Sequence, residues 1–111
     1  GMGLVLLAED PLLQRCLALK VMLPQAATDP TDAARFLREA RAQAAVEHEH
    51  VAAIYQVGED RGIPFIAMPL LKGQSLASAL RANPHVPLPE AVRICREVAE
   101  GLAAAHDRGL I

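Results

Sequence analysis

Residues 16–23 read Cys-Leu-Ala-Leu-Lys-Val-Met-Leu, an apolar run of strand length interrupted by a single charge. Alternation along an extended chain puts Leu17, Leu19, Val21 and Leu23 on one face and Ala18, Lys20 and Met22 on the other. The chain has nine Arg and only two Lys, and one of those two stands inside this run. Lys20 has two readings. On a half-buried strand it is a solvent-facing residue; it is also an ammonium that a rigid strand can present to a phosphate-bearing ligand.

Working outward, residues 4–8, Leu-Val-Leu-Leu-Ala, form a second apolar run that stops at the turn signal Glu9-Asp10-Pro11. Two such runs with a short polar connection predict an antiparallel pair. Downstream, a loop over residues 24–30 precedes a helix. Thr31 and Asp32, after Pro30, are its N-cap candidates, and helix formers continue to about Glu47. At 100° per residue Phe36, Leu37, Ala40 and Ala44 make one stripe, with Arg35, Arg38 and Arg41 pointing away. Glu39 lies on the shoulder of that stripe, about 60° from Phe36. It fits an i,i+4 pair with Arg35, and equally a carboxylate turned inward to hold Lys20.

Residues 51–73 predict a strand, a turn at Glu59–Gly62 and a second strand over Ile63–Met68, with Pro69 stopping the ladder. Ser75 is the N-cap candidate of a short helix that Asn83-Pro84 closes. A last helix starts at Pro89-Glu90 with the stripe Ala91, Ile94, Cys95, Val98, Leu102 and Ala105. Arg93–Glu97 and Arg96–Glu100 are i,i+4 pairs opposite it. His48 and His50 have i,i+2 spacing after a helix end and lack a third neighbour in sequence, which suits a cap and a loop residue better than a metal site. His106 near the end of the last helix suits the C-terminal dipole.

Composition bounds the function. At 111 residues the chain suits one small domain. With 52% hydrophobic residues and 3% aromatics, its core must be built from Ala, Leu, Val and Ile. A net charge of −2 gives no footprint for nucleic acid. No apolar run reaches the roughly 18 residues of a membrane span. Nothing resembles a signal peptide, and the distant Cys16 and Cys95 form no CxxC pair, so a reduced, cytoplasmic setting is expected.

The order of these segments is informative. Gly-Met-Gly-Leu-Val at 1–5, Ala18-Leu19-Lys20, Phe-Leu-Arg-Glu-Ala-Arg at 36–41, Pro-Phe-Ile-Ala-Met-Pro-Leu-Leu-Lys-Gly at 64–73 and Ala-Ala-Ala-His-Asp-Arg-Gly-Leu-Ile at 103–111 follow one another. Together they resemble the bacterial, eukaryotic-like serine/threonine protein kinase family over essentially the whole chain. The resemblance implies an α+β fold: a kinase-like N-lobe, antiparallel sheet plus one helix, followed by the first two helices of a truncated C-lobe. Residues 1–68 would be the N-lobe without its first strand, 69–72 the hinge, and 73–111 the start of the C-lobe.

The same resemblance implies an ATP site. Gly1 and Gly3 match the end of the glycine-rich loop, Val5 the valine over the adenine, and Ala18 the small residue of the adenine pocket. Lys20 resembles the lysine that holds the α- and β-phosphates, and Glu39 its ion-pair partner. Met68 resembles the gatekeeper; Pro69, Leu70 and Leu71 resemble the hinge, with the Pro69 C=O and Leu71 N–H facing the adenine edge. Pro69 stands where the family has an acid, and keeps the carbonyl the contact needs. Gln74 or Ser75 stands where an acid often meets the ribose. The catalytic Asp and the Mg²⁺ ligands have no counterpart, so no catalytic or metal residue is expected within the chain. ATP and, in a full-length kinase, a protein substrate are the expected partners, with Mg²⁺ tied to the downstream segment. The alternative is a pseudokinase or adaptor that binds nucleotide or a partner without catalysis.

Overall fold

The structure is a computed structural model that describes residues 3–24 and 29–110. Four strands, β1 (Gly3–Asp10), β2 (Arg15–Met22), β3 (Gln56–Asp60) and β4 (Ile63–Pro69), form one antiparallel sheet in the order β1-β2-β4-β3. Among the described residues three helices accompany it: α1 (Pro30–Ala44), α2 (Leu76–Ala82) and α3 (Leu88–Asp107). The expected α+β class and element order are those observed: an antiparallel sheet with one helix, followed by two further helices.

Local chemistry sets each boundary. β1 runs two residues past its apolar stretch to Asp10, whose Oδ1 accepts hydrogen bonds from the N–H groups of Leu12 (3.1 Å) and Leu13 (3.3 Å). That side-chain turn starts the hairpin to β2. The second hairpin is tighter than the four residues expected. Pairing continues to Asp60–Ile63, and only Arg61 (φ 51°) and Gly62 (φ 79°) form the turn. Two successive positive φ angles give the loop the twist that adjacent strands need.

The cap of α1 corrects the sequence reading. Asp29, rather than Thr31 or Asp32, accepts from the Thr31 N–H at 2.9 Å. Pro30 takes the first helical position, where no N–H is required, so the cap falls on the residue before it. The helix ends at Ala44 rather than near Glu47. Ser75 caps α2 as expected, accepting from the Ser78 N–H at 3.1 Å. The last helix begins at Leu88, and its Arg93–Glu97 (2.8 Å) and Arg96–Glu100 (3.6 Å) pairs form as expected.

The core lies between α1 and one face of the sheet. Met22, fully buried, packs with Phe36, Ala40 and Ile66, with Leu37, Ile54, Val57 and Met68 around them. The core is thus centred on a Met and a Phe and not built from Ala, Leu, Val and Ile alone, because the flexible thioether and the large ring fill the space between helix and sheet. Of the expected helix stripe, Phe36 and Ala40 are buried, Leu37 is half-buried and Ala44 is exposed. The α3 stripe is partly open: Val98 and Leu102 stay about half exposed and Cys95 is exposed.

One close approach joins α3 to the segment after α1. A Cβ added at Gly101 would stand 2.7 Å from the His50 carbonyl oxygen, a backbone atom. Alanine is the better helix former by about 1 kcal/mol, yet here it would force the two backbones apart. Gly101→Ala is therefore expected to lower unfolding stability by about 1–3 kcal/mol, read as a fall in the urea midpoint. A rise would show that α3 does not sit this tightly.

Candidate functional site

The register of the sheet gathers most of the residues singled out in the sequence. Val5 pairs with Lys20, Lys20 with Ile66, and Ile66 with Val57. Ala18 pairs with Leu7 on one side and Met68 on the other. Directly opposed residues share a face, so Val5, Ala18, Lys20 and Met68 lie together on one side of the sheet. This is the side on which Met22 and Ile66 receive α1. Ala18 is buried, Met68 half-buried, and Val5 and Lys20 are exposed.

Gly3 opens β1 opposite Met22. An added Cβ there would lie 3.4 Å from Lys20 Cε and 3.0 Å from the Val21 carbonyl oxygen. The missing side chain thus leaves room for the Lys20 stem along the strand. Gly1 lies outside the described residues. Pro69 closes β4 opposite Leu17; Leu70 and Leu71 follow without strand pairing and are exposed.

Glu39 takes the local partner, not the distant one. Its Oε1 accepts from Arg35 Nε at 3.2 Å, and both side chains are more than half exposed. The described ion pairs do not include Lys20. The expected Lys20–Glu39 contact is therefore not formed in this arrangement. Arg35 lies one helical turn away and needs no approach across the helix–sheet interface, which is the physical advantage of the i,i+4 partner.

The histidines have structural partners. His48 Nδ1 accepts from the His50 N–H at 3.0 Å, closing the turn after α1. His50 Nε2 lies 3.5 Å from carboxylates of Glu49 and of Glu100 on α3. Ser75 is occupied as the cap of α2, while Gln74 beside it is exposed. Among the described residues no helix is long and apolar enough to cross a membrane.

Two features escaped the sequence reading. Gly101 gave a signal, since a glycine inside a long helix commonly marks close packing. Arg15 and Tyr55 gave none: they are 40 positions apart, yet the guanidinium carbon lies 4.0 Å from the centroid of the tyrosine ring.

Comparison with known proteins agrees with this geometry. The chain matches the protein kinase domain family over residues 1–111. It is 38% identical over 109 residues to the serine/threonine-protein kinase PknE of Mycobacterium tuberculosis, covering 98% of this chain and 19% of that one. It is 32% identical over 111 residues to the serine/threonine-protein kinase PrkC of Bacillus subtilis, covering all of this chain and 17% of that one. The crystal structure of the Mycobacterium tuberculosis PknI kinase domain superimposes with a TM-score of 0.84 at 34% identity, over 99% of this chain and 45% of that one. The chain thus spans about a fifth of the length of these curated relatives and less than half of a solved kinase domain. Sequence, register and fold agree: the chain belongs to the protein kinase domain family.

Proposed function

We propose that this chain is the ATP-binding part of a serine/threonine protein kinase, whose whole reaction transfers the ATP γ-phosphoryl group to Ser or Thr hydroxyls of proteins. One observation carries the assignment: the sheet register sets Val5, Ala18, Lys20 and Met68 on one face, beside the connector at Pro69–Leu71. In this reading the adenine packs against Val5 and Ala18, and Met68 limits its depth. The Pro69 C=O and Leu71 N–H meet the adenine edge, and Lys20 holds the α- and β-phosphates. Gly3, with no side chain over the Lys20 stem, ends the loop that covers them. Residues 1–68 are then the N-lobe, 69–72 the hinge and 73–111 the first part of the C-lobe. A cytoplasmic setting suits ATP chemistry and two free, exposed cysteines.

Phosphoryl transfer rests on positioning and charge neutralisation, with Mg²⁺ ions bridging the phosphates. In this reading the residues of the chain, Lys20 and the Pro69–Leu71 connector foremost, bind and orient the nucleotide. The Lys20–Glu39 pair that active kinases require would form only when Glu39 exchanges Arg35 for Lys20.

ATP is expected to bind with micromolar-to-millimolar affinity, roughly −8 to −4 kcal/mol. Lys20→Met should weaken it at least about tenfold, the equivalent of 1.4 kcal/mol, while the melting temperature stays put, as titration calorimetry and thermal melting would read. Equal binding by wild type and Lys20→Met would remove the phosphate role from Lys20. Phosphorylation of a protein substrate by the purified 111 residues, contaminating kinases excluded, would overturn the division of labour. A further variant tests the helix. Arg35→Ala removes an exposed pair of small worth, so stability should shift by no more than about 0.5 kcal/mol, and ATP binding should not weaken. A larger loss of stability would make Arg35–Glu39 a structural bridge, not a competitor of Lys20.

A further inference from the structure

The strand that leads into the Pro69–Leu71 connector is crossed by a side-chain strap. β4 lies between β2 and β3 in the sheet. Arg15 opens β2, and Tyr55 stands just before β3, its N–H bonded to the Ala67 carbonyl at 2.8 Å. Neighbouring strands are about 4.8 Å apart, so residues on either side of β4 are separated by two such spacings. The Arg15 guanidinium nevertheless reaches within 4.0 Å of the Tyr55 ring centroid. To do so the pair must pass over the end of β4, at Ala67–Pro69. Arg15 is two residues from Leu17, which pairs with Pro69, so it approaches from the face opposite Ala18, Lys20 and Met68. Tyr55 can meet it there because it and Gln56 both oppose Ala67, a bulge that breaks the alternation of β3.

The end of β4 needs such support. Pro69 has no N–H to give to the ladder, and Leu70 and Leu71 beyond it have no strand partner. A guanidinium stacked on an aromatic face is attracted by the ring quadrupole, and the planar head loses little freedom on docking. Arg15 Nε is buried there without a hydrogen-bond partner. The ring face is thus the contact for which the guanidinium gives up solvent on that side.

We infer that Arg15 and Tyr55 are positioning residues, which clamp the end of β4 from behind and so fix the Pro69–Leu71 backbone that meets the adenine. This rests on the nucleotide-site reading given above. Their role is not contact with the nucleotide; both act through the backbone they hold.

The test is a double-mutant cycle on the full chain, with adenosine and ATP as separate probes and calorimetric Kd as the readout. Arg15→Met and Tyr55→Leu are each expected to raise the Kd about two- to fivefold, the range set by a partly exposed cation–π contact. The double variant should be no worse than either single one. Tyr55→Phe, which keeps the ring face, should bind as wild type does. The loss should be the same factor for adenosine as for ATP, because the connector meets only the base. A general loosening of the sheet would instead weaken ATP through Lys20 more than adenosine, and would lower binding by Tyr55→Phe as well. Unchanged affinities in Arg15→Met and Tyr55→Leu, additive losses in the double variant, or a loss confined to ATP would each overturn the inference while leaving the nucleotide site standing. Failure of the unsubstituted chain to bind either probe would overturn the site reading, and the strap with it.

Discussion

Met22, sealed between the sheet and α1 against Phe36, Ala40 and Ile66, is the contact on which the other placements turn. It seats the helix on the sheet and fixes which face of β2 points inward. Because side chains alternate with a period of two, that choice decides the side on which Ala18 and Lys20 emerge. A slip of one residue would send Lys20 to the far face and bring Leu19 and Val21 under the helix. The buried face and the face of the proposed site are therefore the same face, read at different points along one strand.

This sharing explains why an apolar strand tolerates an ammonium. Toward its C-terminal end β2 buries Met22, and at Ala18 it is closed again by neighbouring strands. Lys20 sits between, exposed, with its stem against the bare backbone of Gly3. The charge stays in water while the methylenes lie on protein, the arrangement that long cationic side chains favour. No desolvation has to be offset at rest, and the ammonium remains free to meet an anion.

The helix and the sheet are coupled less tightly through charge than through packing. The apolar cluster holds α1 by Phe36 and Ala40, whereas Glu39 is occupied by its own helix through Arg35. An exposed i,i+4 pair is worth only a few tenths of a kcal/mol, so the carboxylate is available to a better partner at small cost. In the proposed reading that exchange has a meaning, because a strand lysine and a helix glutamate act as a pair in active protein kinases. At the other end of the molecule, Gly101 and His50 hold α3 against the turn after α1 by backbone contact, independent of that charge exchange.

The sequence by itself determined the element order, the antiparallel pairing, the two faces of β2 and the family, because each rests on local periodicity, turn chemistry or an ordered set of short motifs. Ala18, Lys20 and Met68 were legible as a group for the same reason. Only the tertiary structure decided the rest. Whether Glu39 answers Lys20 or Arg35 is a competition between a contact across an interface and one within a helical turn, and spacing allows both. The cap of α1 moved to Asp29 because Pro30 occupies the first helical position. The Arg15–Tyr55 contact joins residues 40 positions apart over a strand between them, and no pattern along the chain encodes a distance that only the sheet creates.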